Sequence, residues 1–175
     1  MCNMRRRTMG PAIALMSMLM LLAGHGSTVL AQPSTLVGSR APEIKAVGVR
    51  NESVQVPARG GITVLVFWNS KYRLSLDALA AMQGIWEAYG ARGVVCVGLN
   101  DLGEEDRAVE QLAERMNIGF VLVSGRTASS AAVAYRLRGV PAVFVVDRSG
   151  VIVYVREGWD KKAESEIREI ISKAL

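Results

Sequence analysis

Residues 62–80, ITVLVFWNSKYRLSLDALA, carry an apolar run through a short polar turn into a helical pattern. Ile62 to Trp68 is rich in β-branched and aromatic residues and has strand length. An unbroken apolar run of this kind predicts a strand buried on both faces. After Asn69 and Ser70 the period changes: Leu76, Leu79, Met82, Trp86 and Tyr89 recur at steps of three and four, so a helix is expected over 75–89. Ser75 is its expected N-cap, with Asp77 near the positive end of the dipole. A strand feeding a helix through a turn presents free N–H groups and a partial positive charge at one point. Reactive groups gather at such turns, yet this one contains no cysteine, no histidine and no acid before Asp77.

The pattern repeats outward. Short mixed segments at 43–49 and 52–56 flank Arg50-Asn51 and suggest a hairpin. Residues 94–99 (VVCVGL) read as a second buried strand, 104–116 as a helix with acids in its first turn and Arg115 in its last, and 120–123 as a short strand. A third helix is expected over 128–137, ended by Gly139-Val140-Pro141. Strands at 142–147 and 151–155 flank Arg148-Ser149-Gly150 as a hairpin, and 161–175 closes the chain as an amphipathic helix with Ile167, Ile170 and Ile171 inward. Alternating strands and helices imply parallel pairing by right-handed crossovers, and the late hairpin adds antiparallel strands. The expected class is α/β, a mixed central sheet with helices on both faces.

With 175 residues, half of them hydrophobic, the chain suits one domain. Its start reads differently. Arg5, Arg6 and Arg7 precede the apolar run 11–23 (PAIALMSMLMLLA), and Val29 and Ala31 suit signal-peptidase cleavage. Residues 1–31 therefore read as an export signal cut after Ala31, 32–42 as a loose leader and 43–175 as the domain. The alternative is a membrane anchor formed by residues 11–23, although that run is short for a span. Cleavage would take three of 21 basic residues and none of 16 acids, leaving 18 against 16, or +2 instead of +5. No basic stripe remains to suggest nucleic acid. Cys2 and His25 would leave as well, so the exported chain has Cys96 and no histidine. One cysteine makes no internal disulfide. Without histidine there is neither a Ser–His or Cys–His pair nor a conventional zinc site. No metal or cofactor is expected, and a membrane contact only if the signal segment is retained.

Three segments carry a resemblance. Val37-Gly38-Ser39-Arg40-Ala41-Pro42 looks like a Gly-x-x-Ala-Pro opening, and Val64-Leu65-Val66-Phe67-Trp68 like a strand ending in Phe-Trp. Gly139-Val140-Pro141 through Gly150 looks like a Gly-Val-Pro-x-x-Phe-x-(apolar)-Asp-x-x-Gly segment. Together, in this order, they resemble the thioredoxin superfamily, in particular its exported TlpA/ResA-like, redoxin-domain branch. The resemblance spans roughly residue 37 to the C-terminus and implies a thioredoxin-like fold.

The chain departs from that family where its activity is defined. The family places Cys-x-x-Cys after Phe-Trp and three more residues. Here those positions hold Tyr72 and Ser75, with Arg73 and Leu74 between, and no cysteine lies anywhere from residue 3 to residue 95. Thiol–disulfide exchange needs one thiolate to attack and a second thiol to resolve the mixed disulfide. Neither is present at this turn, and a peroxidatic cysteine would also sit there. The buried polar residue often found before Phe-Trp is Val66. The resemblance further implies a cis bond at Val140–Pro141 facing the turn, where backbone before the proline pairs with an extended chain. The expected binding surface is Trp68, Tyr72, Arg73, Leu74, Ser75, Val140 and Pro141, and the expected partner an exported protein or peptide. The competing expectations are an oxidoreductase acting through a partner's cysteines or Cys96, and a domain retained only for a structural role. Residues 104–107 and 161–169 read as solvated helix faces, and Cys96 as a buried packing residue.

Overall fold

The computed structural model describes residues 36–175. The segment read as a signal and the first part of the leader, 1–35, lie outside the described residues. Twelve segments follow: β1 (Ile44–Val47), β2 (Ser53–Val56), β3 (Ile62–Trp68), α1 (Arg73–Tyr89), a 3-10 turn (Gly90–Arg92), β4 (Val94–Asn100), α2 (Asp106–Arg115), β5 (Val121–Val123), α3 (Gly125–Ala134), β6 (Ala142–Val146), β7 (Ile152–Glu157) and α4 (Lys161–Ala174). A five-stranded sheet runs β5-β4-β3-β6-β7. Its β3–β4 and β4–β5 pairs are parallel, and β3–β6 and β6–β7 antiparallel. β1 and β2 form a separate antiparallel hairpin.

All seven residues of β3 are buried because the sheet is covered on both sides. Ile62, Val64, Val66 and Trp68 enter one core with Leu79, Met82 and Ile85 of α1, Val109 of α2, and Ile167 and Ile171 of α4. Leu65 and Phe67 enter the other core, with Ala128 and Ala131 of α3, Phe144, and Ile44 and Val56 of the hairpin. Each of the larger aliphatic and aromatic side chains contributes about 1.5–3 kcal/mol by leaving water. Within the second core, Phe67, Tyr135 and Phe144 form a triangle with ring centroids 5.0–5.6 Å apart. Gly98 is required in the first. A Cβ there would lie 2.4 Å from Leu122 Cδ2 and 3.2 Å from Trp68 Nε1. Gly98→Ala is expected to cost roughly 1–3 kcal/mol of stability through overpacking, read as a lower denaturant midpoint.

Several boundaries move from their expected places. α1 begins two residues early, because the Tyr72 carbonyl already accepts the Ser75 N–H at 3.0 Å and the Leu76 N–H at 3.3 Å. α2 begins late, because the Glu104 N–H donates to Asn100 Oδ1 at 3.1 Å and is held out of the helix. α3 is shifted three residues upstream of the expected 128–137 and ends just before Arg136, whose φ of 50 is a left-handed position that stops a helix.

The leader is not loose where it is described. Gly38 N–H and Ser39 C=O bond Ile152, and the Ala41 N–H donates to the Gly150 carbonyl at 2.9 Å. The Tyr135 hydroxyl donates to the Pro42 carbonyl at 3.0 Å. Backbone pairing with β7 therefore orders what composition alone reads as a polar tail. At the opposite sheet edge, the Val49 N–H donates to Leu122 C=O at 2.8 Å, and Arg50 Nη1 and Nη2 donate to the carbonyls of Ile118 and Phe120. The hairpin turn thus covers the β5 edge, which would otherwise present unpaired backbone groups. Among the described residues no helix is long and apolar enough to cross a membrane.

Candidate functional site

Strand register brings three loops to one end of the sheet. Phe67 pairs with Ala142 across the antiparallel β3–β6 ladder, so the turn leaving β3 and the loop entering β6 are neighbours. Trp68 pairs with Asn100 across β3–β4, which places the 101–105 loop beside the same turn. This end of an α/β sheet, past the carboxyl ends of β3 and β4, is where such folds generally build sites.

Polar side chains hold the turn in place. Asn69, almost fully buried, donates through Nδ2 to Asp101 Oδ1 at 3.0 Å, while its Oδ1 accepts the Lys71 N–H at 3.1 Å. Glu104 Oε1 accepts the Ser70 hydroxyl at 2.6 Å and the Ser70 N–H at 3.3 Å, and its Oε2 accepts Asn100 Nδ2 at 2.8 Å. Glu104 is therefore a brace between two loops, contrary to its expected place on a solvated helix face. The available signal was an asparagine ending each of two buried strands, Asn69 and Asn100. Asn100→Ala removes both of its bonds to Glu104. The expected loss is about 1–3 kcal/mol, read as faster amide exchange in 100–105 as well as a lower midpoint.

The seven expected surface residues divide. Tyr72 is 57% exposed, Leu74 50%, and the Arg73 side chain 85%, ion-paired to Asp77 at 3.0 Å. Val140 is half-buried and Pro141 buried. The Val140–Pro141 bond is cis, as is Val56–Pro57. The Pro141 carbonyl accepts the Gly158 N–H at 2.7 Å, while the backbone N–H and C=O of Val140 have no hydrogen-bond partner among the described residues.

Trp68 and Ser75 do not belong to the surface. Both are 0% exposed: Trp68 packs into the core over Gly98, and Ser75 lies inside the first turn of α1. Tyr72 takes the N-cap position instead, and its side chain makes no capping bond. Trp68 Nε1 and Ser75 Oγ are the buried side-chain polar atoms left without a partner among the described residues. A buried hydroxyl with no partner carries its full desolvation penalty. Ser75→Ala should therefore stabilise the chain by about 1 kcal/mol, read as a raised denaturant midpoint.

Cys96 lies mid-strand in β4, 2% exposed, and burial pushes its thiol up to about 12. It stays protonated at neutral pH and is a packing residue. Because the folded-state pKa lies above that of the unfolded thiol, the unfolded chain releases its proton first as pH rises. This contribution to stability is intact below about 8.5 and falls by about 1.4 kcal/mol per pH unit above it, until the folded thiol ionises near 12. A thiol reagent should leave Cys96 unlabelled in the folded chain at neutral pH and label it once the chain is denatured. Among the described residues no group of three or more His, Cys, Asp or Glu side chains could hold a metal ion.

Comparison with known proteins follows the architecture. No curated protein matches the sequence. A candidate thiol:disulfide interchange protein DsbE from Chlorobium tepidum superposes with a TM-score of 0.70 at 19% identity, covering 79% of this chain and 96% of that one. A thioredoxin-family thiol:disulfide interchange protein from Chlorobium tepidum TLS gives 0.67 at 21% identity, covering 82% and 97%. StoA from Bacillus subtilis gives 0.63 at 19% identity, covering 74% and 96%. These likenesses establish a thioredoxin-like fold. Residues 37–155 match the AhpC/TSA family, and with more than half of the sequence matched the chain belongs to that family.

Proposed function

We propose that this chain is a non-catalytic thioredoxin-like protein of an exported compartment, which binds a polypeptide partner through Tyr72, Arg73, Leu74 and the backbone of Val140. One observation carries the reading: the two positions where the resembled family keeps its thiols hold an exposed tyrosine and a buried serine, and the thiol of the domain is sealed inside β4. Thiol exchange has no nucleophile at the turn and no second thiol to resolve a mixed disulfide. What remains suits binding. Two large exposed side chains, Tyr72 and Leu74, flank an exposed arginine, and an unpaired backbone donor and acceptor lie at Val140 on the neighbouring loop. An extended chain could take the backbone pair while its side chains meet Tyr72 and Leu74. The export assignment rests on the basic and apolar start of the sequence.

The test has two arms. Insulin disulfide reduction by the full chain should equal that of Cys96→Ser and of buffer, and activity above the Cys96→Ser control overturns the non-catalytic reading. A pull-down from periplasmic extract should lose its partner with Tyr72→Ala. An unchanged set of bound proteins overturns the binding reading.

A further inference from the structure

The first turn of α1 is positive, and its one acidic neighbour along the helix, Asp77, engages Arg73 through Nε alone at 3.0 Å. Tyr72 makes no side-chain cap, and the turn contains no acidic residue. The backbone N–H groups of Arg73 and Leu74 have no partner among the described residues, as the opening of an uncapped helix requires. Lys71 precedes the helix and has no ion pair among the described residues, and Arg73 projects beside it. Ser75, in the same turn, keeps a fully buried hydroxyl without a partner. Helical side chains lean toward the helix N-terminus, so this hydroxyl leans toward the open end. The acid that does touch the preceding residues, Glu104, has both oxygens engaged by Ser70 and Asn100.

Dipole, free N–H groups, an unpaired hydroxyl and two cationic side chains all favour a carboxylate at this point. Exposed Tyr72 and Leu74 favour apolar side chains beside it. The loop bearing the unpaired Val140 backbone lies at the same sheet end, through the Phe67–Ala142 pairing. We infer that the partner segment is acidic: an extended polypeptide that seats an internal aspartate or glutamate side chain on the N-terminus of α1, with apolar residues of the segment against Tyr72 and Leu74. The inference rests on the binding reading above and specifies the chemistry that surface selects.

The probe is a displayed library of random linear peptides selected on the full chain, and the best clone is then titrated as an acetylated, amidated peptide. Enrichment of an acid at one fixed position, flanked by apolar residues, is the expected result. Replacing that acid by its amide should weaken binding by about tenfold or more, the usual worth of a charge-assisted hydrogen bond. Arg73→Glu supplies the turn with its own carboxylate at a position where helices favour acids, so the fold is retained. It should lower affinity for the acidic peptide about tenfold, and affinity for the amide peptide by clearly less than that. Ser75→Ala should weaken the acidic peptide while raising stability, a divergence that a purely structural serine does not produce. Enriched peptides without an acid preference, or an acidic peptide bound equally by wild type and Arg73→Glu, overturn the carboxylate assignment and leave the binding surface standing. No enrichment of any peptide overturns both.

Discussion

Tyr72→Cys with Ser75→Cys is expected to give the chain the insulin-reducing turnover of a working dithiol reductant, well above that of the unsubstituted chain. The two positions already have the two environments that such chemistry needs. Position 72 is exposed at the N-cap of a 17-residue helix, and position 75 is buried one turn inside. A thiol at 72 would meet the positive end of that helix with no acid in its first turn, and Lys71 and Arg73 stand on either side. Such surroundings lower a cysteine pKa from about 8.5 toward 7 or below, which supplies thiolate at neutral pH. The buried thiol at 75 would then resolve the mixed disulfide. Tyr72→Cys alone should form the mixed disulfide and stop there. A folded double variant that shows no turnover and no change in thiol titration would refute the placement of the family's cysteine positions at 72 and 75.

The largest loss of stability is expected from Phe144→Ala. Phe144 lies on β6 in contact with two other rings, 5.6 Å from Phe67 and 5.0 Å from Tyr135, both in edge-to-face geometry. Removing it forfeits the burial of one aromatic ring, leaves a cavity under α3 and breaks two ring pairs. The expected penalty is about 3–5 kcal/mol. Against a typical domain stability of about 5–15 kcal/mol, that removes a large fraction of the folded population's margin. Denaturant unfolding should show the midpoint drop with an unchanged slope. A loss below about 1 kcal/mol would mean that the ring triangle is not the centre of the second core.

How much of this was legible differs by element. β3 was readable because a strand buried on both faces is apolar almost throughout, and Ile62–Trp68 departs from that only at Thr63, whose hydroxyl oxygen accepts the Ala58 N–H. α4 was readable because its inward residues keep helical spacing, Ile167 and Ile171 reaching full burial. α3 was misplaced by three residues at each end because GRTASSAAVA has small residues on every face and no sharp stripe. Its stop is set by a left-handed Arg136, a residue type that carries no such signal. The leader misled for a similar reason. Polar composition reads as loose chain, but Gly38, Ser39 and Ala41 bond the backbone of Ile152 on β7 and of Gly150 in the turn before it, more than one hundred positions away.

The candidate site divides along the same line. Composition alone determined that no dithiol exists at residues 62–80, since an atom missing from the sequence is missing from every conformation. Alternating apolar strands and helices likewise determined a layered sheet. Only the tertiary structure decided which side chains around the missing thiols face water. Ser75, read as a surface cap, is buried because α1 starts at Arg73, and Trp68, read as part of the binding surface, is buried because Gly98 on the neighbouring strand leaves room for its ring. Glu104 is held because Ser70 and Asn100 converge on it from two strand ends. Exposure is a property of what distant segments place beside a residue, and local spacing does not encode it. Tyr72, Arg73 and Leu74 are what those segments leave uncovered.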